Sequence, residues 1–376
     1  MKILHVLASS LGGGAVHVSD LIVHGTQEME QGLVVSPDGG TIAHRLKDRG
    51  YEVEEMDMAK GWKWKTLALL IRYMRKYQPS VVHCHGFRAG LYGRLAAKLA
   101  SPKIKTVLTV HGFHFFYCQN QLKKKLLILL EHIMQPLTHC VIAVSKTDWQ
   151  HLLECGLISK EKSRVILNGI PPVSSPPGDK EETRSRLGLS THEQPIIATV
   201  ARLHYQKGVI YFLKAAPRIL QFYPNAYFLI VGDGPEREEL LQTAKDLNIL
   251  HNLRFLGNRE DVIDILRVVD VFVLASLWEG LPLSLLEAIR AEIPIVATDV
   301  DGNRDVIENG VSGLLVPPKN QEALAESVLR LLKDPSLAAS VVKKAKIRWM
   351  TDFFLANMLQ KTRQIYTDLM AFPFCE

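Results

Sequence analysis

The stretch Asp270 to Gly313, DVFVLASLWEGLPLSLLEAIRAEIPIVATDVDGNRDVIENGVSG, decides how this chain is read. The apolar run Val271 to Ala275 reads as a buried parallel strand, and Gly280-Leu281-Pro282 as a turn. Ser284 to Ala291 then reads as a short helix, and Ile295 to Thr298 as the next strand. A helix that opens at the carboxyl end of a parallel strand faces the crevice where α/β sheets bind ligands, and its free N–H groups and dipole suit a phosphate. Glu279 sits on the loop and Glu287, eight residues on, lies on the helix. Carboxylates on either side of such a terminus can hold the hydroxyl-rich ends of a ligand whose anionic centre rests on backbone amides. A nucleotide-sugar has this layout: sugar, diphosphate, ribose.

Working outward, the same strand-and-helix alternation fills both halves. Strands are expected at Ile3 to Leu7, Leu33 to Ser36, Val53 to Met56, Val81 to Cys84, Thr106 to Val110 and Val141 to Val144. A second run is expected at Ile196 to Val200, Tyr227 to Val231, Arg254 to Leu256, Val271 to Ala275, Ile295 to Thr298 and Leu314 to Val316. With 376 residues, two domains are the prior. The fold class is α/β, two doubly wound parallel sheets. The expected divisions are an acceptor-binding domain over 1–172, a proline-rich linker over 173–194, a donor-binding domain over 195–351, and a C-terminal helix over 352–376 returning to the first domain.

Hydrophobic residues at 47% and charged ones at 22% are ordinary for a globular protein. The net charge of +6 hides an asymmetry: Met1 to Pro172 carries 22 Lys+Arg against 13 Asp+Glu, and the remainder 23 against 26. No acidic residue occurs between Asp57 and Glu131, an interval with 14 Lys+Arg. Five scattered cysteines without a C-x-x-C pair argue against a disulfide framework or a zinc site and for a reducing cytoplasm. The start MKILHVLASS reads as a first strand rather than a signal peptide, since its apolar core is too short. No apolar run approaches the length of a membrane span.

Several smaller patterns bear on chemistry. Gly12, Gly13 and Gly14 follow the first strand and can form a tight turn with bare amides. His83-Cys84-His85 looks like a metal cluster, but strand alternation turns Cys84 away from the histidines, so His85 is expected at the rim of the site with no metal. Asp299-Val300-Asp301 has a D-x-D form able to hold a divalent cation, yet nothing near it supplies further oxygen ligands, and no metal is expected there. Two segments of the acid-free interval have an amphipathic pattern: Trp64 to Tyr77 with Leu67, Leu70, Ile71 and Met74, and Gln121 to Gln135 with Lys123 to Lys125 ahead of Leu126, Leu129, Leu130 and Ile133. They fit an anionic membrane surface, or a core-facing helix with solvated charges. Lys60-Gly61-Trp62-Lys63-Trp64-Lys65 is the only basic cluster interleaved with aromatics, too little for a nucleic-acid platform.

Taken with V-A-R-L-H-Y-Q-K-G at Val200 to Gly208, V-G-D-G-P at Val231 to Pro235 and G-L-L-V-P-P at Gly313 to Pro318, the opening stretch resembles the retaining nucleotide-sugar glycosyltransferases of family 4. That family has the GT-B fold, two Rossmann-like domains facing a cleft, and the likeness covers roughly the whole chain, densest after Pro195. Two departures stand out. Ala15 to Ser19 lacks the family's usual glutamate, and Asp301 replaces a glycine.

The resemblance implies metal-independent, retaining transfer of a sugar from a nucleotide diphosphate donor, UDP favoured, to a hydroxyl of a lipid-linked saccharide or glycolipid in cell-surface polysaccharide synthesis. It implies that Arg202 and Lys207 grip the diphosphate, Glu279 the sugar hydroxyls and Glu287 the ribose. The backbone around Gly280, Leu281, Pro282 and Leu283 would meet the sugar and diphosphate, with Gly13, Gly14, Gly232 and Gly234 completing the donor site. His111 would lie beside the reacting sugar, with His85 and His114 on the acceptor side. No cofactor and no nucleic acid are implied. The enzyme would work in the cytoplasm, peripherally on the inner face of the membrane. A nucleotide-sugar epimerase of related fold, or a transferase with a soluble acceptor, is the alternative.

Overall fold

The structure is a computed structural model, and it describes residues 1–25, 29–37, 42–59, 61–112, 120–173, 178–189 and 194–371. The chain divides into two compact units, Met1–Asn168 together with the residues from Leu355 onward, and Gly169–Phe354.

The first unit is built on β1 (Lys2–Leu7), β2 (Glu30–Val35), β3 (Glu52–Glu55), β4 (Val81–His85), β5 (Lys105–Val110), β6 (Cys140–Ala143) and β7 (Ser163–Val165). They pair in the order β3-β2-β1-β4-β5-β6-β7, all parallel. Strand β7 is absent from the sequence expectation, because Ser163-Arg164-Val165 has no apolar run and an edge strand pairs on one side only. Alternation sorts the side chains onto two faces. Leu4, Val6, Val82 and Cys84 pack with Leu67, Leu70 and Met74 of the helix Trp64–Tyr77. The apolar stripe of that helix is therefore core, which removes it from the two candidate membrane elements.

Ile3, Val81 and Val107 face the opposite way, against Leu355, Met358, Ile365, Tyr366 and Leu369 of the last helix, Leu355–Ala371. Each such side chain removed from water stabilises by about 1.5–3 kcal/mol, which outweighs the weak intrinsic helicity of an isolated segment.

The second unit carries β8 (Ile196–Val200), β9 (Tyr227–Val231), β10 (Leu253–Gly257), β11 (Val271–Leu274), β12 (Ile295–Thr298) and β13 (Leu314–Val316), in the order β10-β9-β8-β11-β12-β13. Phe212 and Leu213 of the helix Val209–Leu220 and Leu324 and Val328 of the helix Gln321–Lys333 cover one face over Phe228, Val271 and Val273. The expected linker is partly structured. Lys180–Arg186 is a helix of this unit, capped by Asp179 and tied by the Arg186–Asp261 ion pair at 2.8 Å. Residues 174–177 and 190–193 of that stretch lie outside the described residues.

Both sheets start from a central strand, run outward through the next two, then return to the other side of the first. That reversal is the Rossmann switch point, the place where open α/β sheets bind ligands beyond the strand ends. It lies between β1 and β4 in one unit and between β8 and β11 in the other.

Candidate active site

At the second switch point the loop after β8 and the loop after β11 lie side by side. Leu277 N donates to Gln206 O (2.7 Å), and Gln206 Nε2 donates to Trp278 O (3.0 Å). This lacing brings Lys207 Nζ to 2.5 Å from Glu279 Oε1, which also accepts from Ser276 Oγ at 2.6 Å. Glu279 is 6% exposed and Ser276 fully buried, so the pair is held in a poorly solvated pocket. Ser276 is in turn fixed by Thr298 Oγ1, which donates to the Ser276 carbonyl. The loops can approach this closely only because position 208 is glycine: at φ +56° its Cβ would lie 2.2 Å from the Ala275 carbonyl oxygen. Gly302 has the same role below the turn, where a Cβ would come within 2.1 Å of the Gly280 carbonyl oxygen.

Arg202 is exposed on the β8 loop, whose neighbours are held by Leu203 N donating to Asp233 O (3.0 Å). Gly232 and Gly234 thus lie behind the Arg202 turn, packed on the carbonyls of Ala201 and Leu203. Gly280, Leu281 and Pro282 are buried, and the helix begins at Leu283 with Pro282 as its N-cap, one residue earlier than the sequence suggests. Glu287 is half-buried on that helix, Leu283–Arg290. Asp299 and Asp301 are both taken by Arg304, at 2.6 and 3.3 Å, so the D-x-D pair is occupied by a guanidinium.

At the first switch point, Gly13 and Gly14 form the opening turn of the helix Gly13–Val23 rather than a free loop, with Gly12 in the left-handed region before it. Above the strand ends is a pocket of about 530 Å³, lined by Leu7, Leu11, Phe87, Leu127, Arg88 and Lys123 among others, with Gly14, His85 and His111 also on its wall. His85 is 3% exposed, so it forms part of the floor and not the rim. The correction follows from register: Leu7 pairs with His85 and His5 with His83, which sinks these rings into one layer on the face shared by Ile3 and Val81. His114 lies outside the described residues.

Sequence reading missed His5, His17 and Gln31, which join this layer. His5 Nδ1 lies 3.0 Å from His85 Nε2, His5 Nε2 lies 2.9 Å from Gln31 Oε1, and His85 Nδ1 lies 3.4 Å from His111 Nε2. His17 contacts His111, ring centroids 4.8 Å apart. His83 spends both nitrogens elsewhere, on Tyr366 Oη and Thr109 Oγ1. The available signal was the shared parity of His83 and His85 on one strand. Cys84 faces away, into the core on the other side.

Burial holds these rings neutral. It lowers His5 to about 4, and it pushes His17, His83 and His85 well below the usual imidazole value, helped by mutual repulsion among the rings. Their unfolded counterparts take up protons near pH 6.5, so below that pH the unfolded chain binds more protons than the folded one. Stability present above pH 6.5 is therefore lost as pH falls toward 4. We expect urea midpoints to drop steeply over that window, by up to about 1.4 kcal/mol per pH unit for each ring. A midpoint flat from pH 7 to pH 5 would show that the rings are not held neutral.

Below the pocket, Arg94 is fully buried with a two-pronged bond to Glu131: Nη1 to Oε1 at 2.6 Å and Nη2 to Oε2 at 2.8 Å. Its Nε donates to Gly90 O and its Nη1 also to Thr138 Oγ1. Glu131 belongs to the helix Gln121–Met134, which buries only that carboxylate and Met134. Leu122, Leu126, Leu129 and Ile133 of the same helix are between 56% and 79% exposed. The helix is thus held by Glu131 and Met134, with Leu127 and Ile128 partly buried against the core, and it turns a second apolar stripe outward, with Lys123, Lys124 and Lys125 beside it. Among the described residues no helix is long and apolar enough to cross a membrane.

Comparison with known proteins fits this geometry. The family Glycosyltransferase Family 4 matches residues 11–173, and Glycosyl transferases group 1 matches residues 179–348. The chain is 30% identical over 311 residues to the Escherichia coli UDP-Gal:alpha-D-GlcNAc-diphosphoundecaprenol alpha-1,3-galactosyltransferase, covering 81% of this chain and 80% of the relative. It is 25% identical to the Campylobacter jejuni N,N'-diacetylbacillosaminyl-diphospho-undecaprenol alpha-1,3-N-acetylgalactosaminyltransferase, covering 90% and 91%. Among solved structures, Anabaena HepE in complex with UDP and glucose superposes with a TM-score of 0.84 at 21% identity, covering 98% of this chain and all of that one. The two matched families, the relatives and the pair of Rossmann-like units together settle the assignment: this chain belongs to the family 4 glycosyltransferases of GT-B fold.

Proposed function

We propose that this glycosyltransferase moves a sugar, with retention and without a metal, from a UDP-sugar to a hydroxyl of a polyprenyl-diphosphate-linked saccharide at a membrane surface. The observation that carries the donor side is the Lys207–Glu279–Ser276 constellation at the second switch point. Lys207 and the exposed Arg202 supply two positive charges for a diphosphate, which lowers the need for a cation. Among the described residues both hydrogen bonds of Glu279 fall on Oε1, so its other oxygen is the one a sugar hydroxyl would meet. Arg304 already fills the D-x-D pair. UDP is favoured because the Escherichia coli relative is named for UDP-Gal and the HepE structure holds UDP.

In the step proposed, the acceptor oxygen bonds to the anomeric carbon as the bond to the diphosphate breaks on the same face. The departing phosphate oxygen takes the acceptor's proton. No protein nucleophile is needed, so positioning and charge neutralisation carry the rate.

The acceptor side rests on the pocket of the first unit. Its wall is largely apolar, with Arg88, Lys123, Ser9 and the histidines as its polar members, a combination suited to a lipid that carries a diphosphate. Lys123 and Leu127, on that wall, belong to the helix whose outer stripe is exposed. A membrane would cover that stripe, and each basic residue near an anionic surface adds about 1 kcal/mol. Both relatives act on undecaprenol-diphosphate-linked substrates by name.

The test is transfer from a panel of UDP-sugars to a polyprenyl-diphosphate-linked sugar in anionic vesicles, with chelator present. We expect an α-linked product from an α-linked donor, unaffected by chelator. Vesicle binding should fall when salt rises or when Lys123, Lys124 and Lys125 become Gln. Loss of activity with chelator and its return with manganese would refute metal independence, and equal binding to neutral and anionic vesicles would refute the charged surface.

A further inference from the structure

Three imidazoles converge beneath the pocket of the first unit, and a chain of hydrogen bonds starting at Gln31 determines which of their nitrogens carry lone pairs. Gln31 Nε2 donates to Leu21 O at 3.3 Å, which turns Oε1 toward His5. His5 Nε2 must then donate to that oxygen at 2.9 Å. A neutral ring has one N–H, so His5 Nδ1 is a bare acceptor. His85 Nε2, 3.0 Å away, donates to it. By the same count His85 Nδ1 is a bare lone pair, and it faces His111 Nε2 at 3.4 Å. His17, whose side chain is hydrogen-bonded to Asn168, adds a buried Nδ1 that has no hydrogen-bond partner among the described residues.

A separation of 3.4 Å is long for a hydrogen bond between nitrogens. It is the edge length of a tetrahedron whose metal–nitrogen bonds are about 2.0–2.1 Å. One ring nitrogen each of His17, His85 and His111 lies within 4.8 Å of the others. His83 is excluded, since both its nitrogens are bonded to oxygens.

We propose that His17, His85 and His111 form a zinc site, three imidazoles with the fourth position open to the pocket, supported from behind by His5 and Gln31. The donor set selects the ion class: neutral imidazoles suit zinc and its neighbours, whereas magnesium and calcium need oxygen ligands. The His5–Gln31 pair supplies the outer hydrogen bond that fixes the orientation of a ligating ring. Catalytic zinc sites share this pattern of three protein ligands and one exchangeable position. Here the open position meets the pocket assigned above to the acceptor, and transfer as proposed runs without a metal. Zinc is therefore an inhibitor: it engages the His111 ring and fills the pocket floor. The binding claim stands apart from the reading of the reaction, and only the inhibition rests on it.

The experiment uses the untagged full chain stripped with chelator, titrated with zinc by calorimetry and with cobalt(II) followed by visible absorption. The expected result is one ion per chain and the strong visible bands of tetrahedral cobalt. His17→Gln, which removes one of the three proposed ligands, should weaken binding by about tenfold or more, and Gln31→Leu by about 10–100-fold. His251→Gln, on the other unit, should leave binding unchanged, and thermal melting checks that each variant is folded. Equal affinity in wild type and His17→Gln, or a cobalt spectrum without tetrahedral bands, would overturn the site. In the transfer assay zinc should inhibit wild type, with chelator restoring activity, and should inhibit His17→Gln far less. If no transfer is seen under any condition, the reaction assigned above fails while the titration still decides the site.

Discussion

Glu279→Gln should lower kcat by about a hundredfold to a thousandfold while leaving the fold intact. The substitution keeps the shape of the side chain but removes the charge that pairs with Lys207 at 2.5 Å. In a pocket where Glu279 is 6% exposed, that charge acts in a medium far less screening than water, where one well-placed electrostatic contact is worth roughly 3–4 kcal/mol. Lys207→Ala should show a loss of the same order, and the double variant should fall well short of the product of the two, because bonded partners do not act independently. Glu287→Ala, half-buried on the following helix, should instead raise the donor KM with a smaller effect on kcat. Steady-state kinetics with saturating acceptor measures all four. Wild-type turnover in Glu279→Gln would mean that this constellation is not the donor site.

The largest expected effect on stability is in the first unit. Glu131→Ala leaves the Arg94 guanidinium without its carboxylate in a place with no solvent exposure. Orphaning one member of a buried pair costs about 3–5 kcal/mol, a large share of the roughly 5–15 kcal/mol that separates folded from unfolded domains. Replacing both residues by leucine should recover most of the loss, since the desolvation penalty of the pair disappears with its charges. Urea denaturation of the two single variants and the double closes the cycle. A midpoint for Glu131→Ala within about 1 kcal/mol of wild type would show that water reaches Arg94 in solution.

Most of the twelve strand expectations were legible because short apolar runs rich in Val, Ile and Leu stand out, and each of the twelve lies on a strand. The short edge strand β7 has no such run. Glu279 and Glu287 could be singled out because one motif carries them eight residues apart, and Lys207, 72 residues before Glu279, because a second motif carries it. The histidine layer could not: His5, His17, His83, His85 and His111 are spread over more than 100 residues, and it takes the pairing of β1 with β4 and of β4 with β5, together with the helix that carries His17, to bring them together. Periodicity assigns a face to a residue but gives no register between distant strands. The same limit applies to Arg94, which counts in the sequence as one more surface cation of the acid-free interval. The carboxylate that closes that interval, Glu131, is the one buried against it.

The last helix also bears on the order of events at the ribosome. Leu355–Ala371 completes the face of the first sheet that holds Ile3, Val81 and Val107, and its Tyr366 bonds His83. A nascent chain cannot finish its first unit until Leu355–Ala371 has left the exit tunnel, although most of that unit was made first. The second unit, contiguous from Gly169 to Phe354, is free to fold while the apolar face of its predecessor still waits in water. Translation arrested after residue 354 should therefore yield a folded second unit attached to a chaperone-seeking first one.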